Sequence, residues 1–579
     1  MTNNGGKPDS VSVALAGSGG SGLMTAGEML LNVARDVGWY GMMARSLSPH
    51  IRGGEAAAFV RLSPNEVGSC DDLFDIVVAL DWTAIRRFAA EVPLSGDTLV
   101  IYDTAAGEPP EATTASGARL VALPLGEMAK EIPQGRPNMV ALGIVTALIG
   151  IPEEITLATI ERAIADKGAE AVTASAAGIK AGTKAAADLN ADYSIGEAAA
   201  PGANGRWSIS GNEATGLGAL SGGIRFAAAY PITPATEILE WLAPNLQEMG
   251  GALVQAEDEL ASINMIIGAS FGGTPSMTAT SGPGLSLMIE GIGLAIAAET
   301  PVVIVDVMRC GPSTGLPAKS EQADLNIALY CSHGDAPHIV TAATSAGDCI
   351  FTTQWSAHLA EKLQCPAIVL TDQWLGQSRV IIDEPAEVPF VAERDTAAAG
   401  IENYQRYMDT TSGVSPMALP GTPGGEHEAM SSGHNAFGAP SGSAADHEQQ
   451  LDKRQRKLDD FDFGDVWAEI EGEGEVAVVT WGSTTGAARE ALARAKENGL
   501  QARLIGFRLL QPMQVDYFAA AMKGVKKMLI VEQSHGQQFH NYLRAHFHQH
   551  LPETVKVFNR PGPLPIRPGQ VLEQLSEWS

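Results

Sequence analysis

Three times along this chain a short apolar run rich in β-branched residues stops at glycine or hydroxyl residues and gives way to a helical pattern. That alternation limits the fold to the α/β class, in which sheets are covered by helices. The first instance is "VSVALAGSGGSGLMTAGEMLLNVARDVGW", a strand-like run, a glycine turn and an amphipathic helix with Leu23, Ala26, Leu30 and Val33 on related faces. "FDIVVALD" and "DTLVIYD" continue the pattern and predict a parallel α/β domain over residues 1–185. Residues 186–206, rich in alanine, glycine and polar side chains, read as a linker. The alternation resumes over 207–395 with "GALVQAED", "TPSMTATSGPG", "TPVVIVDVMRCGPS" and "CPAIVLTDQW", which predicts a second doubly wound sheet. Its ligand site is expected in the loops at the carboxyl ends of these strands. Residues 396–473, heavy in glycine, proline and serine, read as an extended connector without much regular structure. A third, smaller α/β domain fills 474–579, with "EVAVVTWGSTTGAAREALARAKENG" and "KKMLIVEQSHG".

Composition narrows the function classes. At 579 residues the chain is too long for one hydrophobic core. Lysine and arginine number 38 against 67 acidic residues, a formal net charge of -29, which disfavours a surface for nucleic-acid phosphates. No stretch offers the roughly 18 uninterrupted apolar residues of a membrane span, and "MTNNGGKPDS" has neither a signal-peptide nor a transit-peptide character, so a cytoplasmic location is expected. The five cysteines, Cys70, Cys310, Cys331, Cys349 and Cys365, show no CxxC spacing. No metal site is therefore expected on this chain, and cluster chemistry would have to come from another one.

Several stretches carry residue types suited to chemistry. In "YPITP" each proline fixes its own φ and disfavours helix in the residue before it, so the turn is stiff. Thr233 is then either a pre-positioned hydroxyl or a cap for the helix "ATEILEWL". On a helix through "EDELASI", Glu259 shares a face with Ile263, Ile266 and Ile267, whereas Glu257 aligns with Leu260, Ala261 and Asn264. A carboxylate heading an apolar stripe is costly alone, so Glu259 is either a paired structural acid or one reserved for a ligand nitrogen. "TATSGPG" ends a strand with hydroxyls and glycines, where backbone can approach a ligand closely. Arg309, and later Lys319, follow the apolar strand "PVVIVDV". A guanidinium there suits bidentate binding of a carboxylate, with a salt-bridged surface arginine as the alternative.

Gly17, Gly19 and Gly22 of "GSGGSG" fit the G-x-G-x-x-G spacing of dinucleotide sites, but Arg45 and Arg52 stand where an acidic residue would be wanted. An NAD site, a different phosphate-bearing ligand and a tight structural turn all stay open. His535 in "EQSHGQQFH" reads as a polar loop residue.

Taken in order, "GSGGSG", "SPHIRGGEA", "GNEATGLGA", "YPITP", "EDELASI", "TSGPG", "RCGPSTGLP", "EQADL" and "GVSPMALPG" resemble the alpha subunit of the 2-oxoacid:ferredoxin oxidoreductases, most closely the 2-oxoglutarate type, with the family's gamma domain fused at the N-terminus. The resemblance spans almost the whole chain. It implies three α/β domains, including a thiamine-enzyme pyrimidine-binding-like domain and a transketolase C-terminal-like domain. It also implies a reaction in which 2-oxoglutarate, coenzyme A and oxidised ferredoxin give succinyl-CoA, carbon dioxide and reduced ferredoxin, or the reverse as in a reductive tricarboxylic acid cycle. By family position Glu259 would bond the aminopyrimidine of thiamine diphosphate. Tyr230, Pro231, Ile232, Thr280, Ser281 and Gly282 would line the cofactor, and Thr233 would face both cofactor and keto group. Arg309 would bind the substrate 1-carboxylate. By extension Lys319 would reach the distal carboxylate, although the neighbouring Ala318 replaces a threonine common in relatives. Gly17, Gly19, Gly20, Gly22 and Arg52 would contact coenzyme A. No GDG motif with a following asparagine is present, so the resemblance implies a beta subunit that brings the Mg²⁺–diphosphate site and a [4Fe-4S] cluster, in an α2β2 assembly. Rival expectations are the same chemistry on pyruvate, a branched-chain or an aryl 2-oxoacid, or a non-catalytic nucleotide- or acyl-CoA-binding subunit.

Overall fold

The alternation becomes three sheets in the computed structural model, which describes residues 9–47, 54–87, 89–197, 205–330 and 332–578. The chain divides into two units, the first built on one sheet and the second on two.

The sheet of the first unit has eight strands in the spatial order Arg119–Leu123, Leu99–Asp103, Ile76–Ala79, Val11–Ser18, Glu55–Ser63, Tyr40–Leu47, Arg379–Asp383 and Arg206–Ser210. The first four are parallel, as the sequence predicts. The others are not: Val11–Ser18 and Tyr40–Leu47 both run antiparallel to Glu55–Ser63, so the expected parallel sheet is a mixed one. Too few residues join Tyr40–Leu47 to Glu55–Ser63 for a helical crossover, which leaves an antiparallel return as the only short connection. At the far edge, Arg379–Asp383 pairs antiparallel with both Tyr40–Leu47 and Arg206–Ser210. Sequence analysis places "RVIID" within the second domain, 207–395, whereas the structure pairs it into this sheet, because local pattern does not say which sheet receives a strand. Val13, Leu15, Ile76, Val78, Leu99 and Ile101 are buried beneath the helices Leu23–Asp36 and Pro137–Leu148 and contribute about 1.5–3 kcal/mol each.

In the second unit, seven strands follow the order Leu509–Gln511, Ile339–Ala342, Ala367–Asp372, Val303–Met308, Ser276–Thr280, Phe226–Ala229 and Ala252–Gln255. All neighbours are parallel except Leu509–Gln511, which comes from the C-terminal region and closes one edge antiparallel. The remaining sheet is Ala468–Glu471, Ala502–Phe507, Val476–Trp481, Lys527–Glu532 and Thr554–Asn559. Arg508 ties the two sheets together through Asp348 and Glu469, both at 2.8 Å.

The connector is more ordered than its composition predicts. Ala444–Asp459 is a helix capped by Ser443, and Tyr404, Tyr407, Met417 and Ala418 before it are buried. The helix has no apolar stripe to betray it. Its inner face carries Lys453 and Lys457, which enter the core to meet Glu299. Among the described residues no helix is long and apolar enough to cross a membrane.

Candidate functional site

Four adjacent strands of the seven-stranded sheet end side by side, and their exit loops carry the candidates. Phe226–Ala229 leads into "YPITP", Ala252–Gln255 into Glu259, Ser276–Thr280 into "SGPG", and Val303–Met308 into Arg309. A parallel sheet whose neighbours run in one direction puts these loops on one edge.

Glu259 begins the helix Glu259–Phe271. The preceding Asp258 caps that helix, its side chain accepting from the Ala261 backbone N–H at 2.7 Å. With the cap position filled, the Glu259 carboxylate sits in the first turn, where the helix dipole favours negative charge. Glu257 is exposed, whereas Glu259 is only 7% exposed and shares its buried face with Ser262, Ile263, Ile266 and Ile267. Among the described residues its carboxylate has no hydrogen-bond partner.

The N-terminus of the helix Gly282–Ala297 closes over this carboxylate. A Cβ on Gly284 would stand 2.7 Å from Glu259 Oε1 and would run into Thr280 Oγ1, so only glycine allows this approach. Thr280 and Ser281 are fully buried, and Ser281 Oγ has no partner. Gly282 is as crowded: a Cβ there would lie 2.6 Å from Asp324 Oδ2.

Thr233 does not cap the next helix, which begins at Thr236 with Ala235 before it and no side-chain cap. The residue is exposed, while its carbonyl accepts from Arg309 Nη1 at 2.6 Å. Asn212, buried at the start of "GNEATGLGA", steadies the same turn by donating to the Pro234 carbonyl at 3.0 Å and to Glu237 Oε2 at 3.1 Å. Tyr230 is exposed, and Pro231 and Ile232 are half-buried. Arg309 is buried, and among the described residues it makes no ion pair and keeps its Nε without a partner. Lys319 leaves the same loop stem: its carbonyl accepts from the Cys310 backbone N–H at 3.0 Å.

Behind Arg309 lie two acids to which sequence analysis gives no role. Asp306, inside the strand Val303–Met308, is fully buried, and among the described residues neither of its carboxylate oxygens has a donor. Burial, and then the facing Asp324, push its carboxyl well above the usual range. Asp324 is pushed up to about 7 by burial, with Glu321 adding to the rise, while Asp306 and Arg309 oppose it. The signal for Asp306 was present as one charged letter in the apolar run "VVIVDVM".

The glycine loop belongs to the first unit. Gly17 ends up buried within the strand Val11–Ser18, Gly19 and Gly20 are exposed at the tip, and Gly22 precedes the helix Leu23–Asp36 with φ 81°. Asp81 accepts from both the backbone N–H and the hydroxyl of Ser18 at 2.8 Å. Burial acts to raise its carboxyl, but the bonds from Thr83 and Ser18 win and hold it low. The base of this loop is thus taken by Asp81, and only its tip, at Gly19 and Gly20, is exposed. Arg52 lies outside the described residues. The strand Val11–Ser18 has an antiparallel neighbour on one side, unlike the all-parallel dinucleotide fold, which removes the structural context an NAD reading requires. His535 is an exposed loop residue.

Comparisons with known proteins place this fold in a family. Residues 217–452 match the family described as pyruvate flavodoxin/ferredoxin oxidoreductase, thiamine diP-bdg. Residues 12–185 match pyruvate ferredoxin/flavodoxin oxidoreductase, and residues 467–576 match the transketolase C-terminal domain. The chain is 30% identical to 2-oxoglutarate oxidoreductase subunit KorA of Mycobacterium tuberculosis, over 91% of this chain and 86% of that one. It is 28% identical to 2-oxoacid:ferredoxin oxidoreductase 2, subunit alpha, of Aeropyrum pernix, over 95% of each. Among solved structures, 2-oxoglutarate:ferredoxin oxidoreductase from Magnetococcus marinus, with 2-oxoglutarate, coenzyme A and succinyl-CoA bound, superposes with a TM-score of 0.91 at 36% identity, covering 99% of this chain and 100% of that chain. With both its sequence and its fold matched over nearly their full length, the chain belongs to the alpha subunits of the 2-oxoacid:ferredoxin oxidoreductases.

Proposed function

We propose that this chain, paired with a beta subunit, oxidatively decarboxylates 2-oxoglutarate, joining the succinyl group to coenzyme A, releasing carbon dioxide and passing an electron pair to ferredoxin. The observation that carries this reading is Glu259, a nearly buried carboxylate without a partner, held at the strand ends beside Thr280, Ser281 and Gly284. Such a group fits the ring nitrogen of an aminopyrimidine, whose hydrogen bond would replace the one the fold leaves out. When bound, thiamine diphosphate supplies the electron sink for decarboxylation. Glu259 would hold a proton at the ring nitrogen, and Thr280, Ser281 and Gly282 would shape the wall against the ring together with Tyr230, Pro231 and Ile232. Arg309, steered by the Thr233 carbonyl, would orient the 2-oxoacid through its 1-carboxylate, and the Thr233 hydroxyl would meet the keto group.

The beta subunit would complete the site with the Mg²⁺–diphosphate half and a [4Fe-4S] cluster, in an α2β2 complex that delivers electrons to ferredoxin. The tip of the first unit's loop, Gly19 and Gly20, would take the phosphates of coenzyme A at the N-terminus of the helix Leu23–Asp36. The deciding experiment is anaerobic viologen reduction by the co-purified pair, with and without coenzyme A, on 2-oxoglutarate, pyruvate and a branched-chain 2-oxoacid. Turnover that requires coenzyme A and prefers 2-oxoglutarate is expected. A complex loaded with thiamine diphosphate and iron that turns over no 2-oxoacid would overturn the reading.

Lys319 supplies the finer test of substrate. Because it leaves the loop stem beside Arg309, Lys319→Ala should lower kcat/KM for 2-oxoglutarate about 10- to 100-fold, the loss of one charge-assisted contact, while leaving pyruvate within about twofold. An unchanged ratio between the two substrates would show that the distal carboxylate is bound elsewhere.

A further inference from the structure

We propose that Asp306 and Asp324 form a proton-sharing carboxyl pair that sets the charge behind Arg309 and thereby governs how tightly the 2-oxoacid carboxylate binds. The inference rests on the reading of Arg309 as the carboxylate-binding arginine, and it assigns the two acids as positioning residues, since neither is placed against substrate.

The geometry requires a proton. Asp306 is fully inside the sheet with no donor to either oxygen, and Asp324 Oδ2 is also buried without one. The two carboxyls face each other. As two carboxylates they would repel in a dry site with nothing to hold them, whereas one proton between them gives each a partner. Gly282 is bare because Asp324 occupies the space its side chain would need, which fixes the pair at the N-terminus of Gly282–Ala297. Arg309, with Nε buried and unpartnered, makes an ion pair with neither acid but feels the charge of both.

The charged surroundings come from each neighbouring element. Arg309 follows the same strand as Asp306, and Glu321 precedes Asp324 and acts to raise it. His535, from the third sheet's loop, faces Glu321, and Glu259 stands two residues along the same helix N-terminus at Gly284. With Asp306 pushed well above the ordinary carboxylate range and Asp324 pushed up to about 7, the pair changes from neutral to singly negative as pH rises. The sign follows. Below that pH the pair is neutral and Arg309 presents its full charge to the substrate. Above it the ionised pair offsets Arg309 and repels an incoming carboxylate, so 2-oxoacid affinity falls as pH rises. By linkage, substrate binding draws a proton into the pair.

The test uses the co-purified complex and two readouts. In wild type, KM for 2-oxoglutarate should rise between pH 6.5 and 8.5 toward a limiting slope of about tenfold per pH unit, and Asp324→Asn should hold KM near its low-pH value throughout. Infrared spectra taken as wild type minus Asp306→Asn at each pH, without substrate, should show a protonated-carboxyl band that persists above the transition near neutrality, because the shared proton remains in the pair. A second such band, titrating near neutrality, should vanish in Asp324→Asn. If neither band is present in wild type, the pair does not hold a proton and the proposal fails. It fails also if both bands are present but Asp324→Asn retains the wild-type pH slope. The Arg309 reading stands or falls separately: Arg309→Gln with unchanged KM would refute that reading whatever the infrared bands show.

Discussion

Glu259→Gln should bind thiamine diphosphate and still lose nearly all turnover, with viologen reduction on 2-oxoglutarate down about 10²- to 10⁴-fold. The substitution keeps the shape of the side chain and its place in the first turn of Glu259–Phe271, and Asp258 continues to cap that helix, so the fold has no reason to change. What is lost is the ability to take and return a proton and to offset positive charge on the ring. The amide also fits the free chain better than the acid does. A nearly buried carboxylate without a partner is an unfavourable group, and an uncharged one relieves that burden. The variant should accordingly be at least as stable as wild type, which separates a chemical loss from a folding loss. Activity within about tenfold of wild type, in a complex with full cofactor content, would remove Glu259 from the reaction.

Helical spacing alone distinguishes Glu259 from Glu257, because only one of them lies on the apolar stripe, and the structure buries that one and exposes the other. Spacing could not say whether Glu259 is paired, since pairing depends on what arrives from the far side. That neighbour is the bare N-terminus of Gly282–Ala297, visible in the sequence only as a glycine-rich loop. "YPITP" is legible as a stiff turn, but the contact that ties it to the site is a backbone carbonyl to Arg309, and a carbonyl leaves no mark in a string of side chains. Asp306 did leave a mark, as an acid in a run of valines, and its importance becomes plain only when Asp324 is seen facing it. Sheet membership was the least legible feature. Arg379–Asp383 lies within the stretch expected to build the second sheet and Arg206–Ser210 where linker and second domain were expected to meet, yet both pair into the first unit's sheet, because pairing across such separations is decided by packing and not by local pattern. Composition misjudged the connector for a related reason: the helix Ala444–Asp459 is held by lysines buried on an acid, a contact that hydrophobic periodicity does not register.

That acid carries the other large effect. Glu299→Gln should destabilise the second unit by about 3–5 kcal/mol, because it leaves two buried lysines facing an uncharged group. Glu299 has no exposed surface, Lys453 Nζ reaches its Oε1 at 2.6 Å and Lys457 Nζ its Oε2 at 3.0 Å, and Arg406 donates to its backbone carbonyl at 2.7 Å. Its φ of 49° follows the end of Gly282–Ala297, a position that glycine ordinarily fills, so the chain accepts a backbone preference against itself to keep the carboxylate there. Burial alone would raise Glu299, but Lys457 and Lys453 overcome it and hold the carboxyl far below its usual range. A depressed carboxylate stabilises the fold above its unfolded pKa, and that contribution is lost as pH falls toward the folded value. The gap between wild type and Glu299→Gln should therefore be wide at pH 7 and narrow in acid, read from the unfolding midpoint in urea. Lys453→Met and Lys457→Met added to Glu299→Gln should recover most of the loss, since removing every buried charge is far less costly than removing one. A single variant within about 1 kcal/mol of wild type at pH 7, or a triple variant no better than the single, would show that the connector is held by its packing and not by this ion cluster.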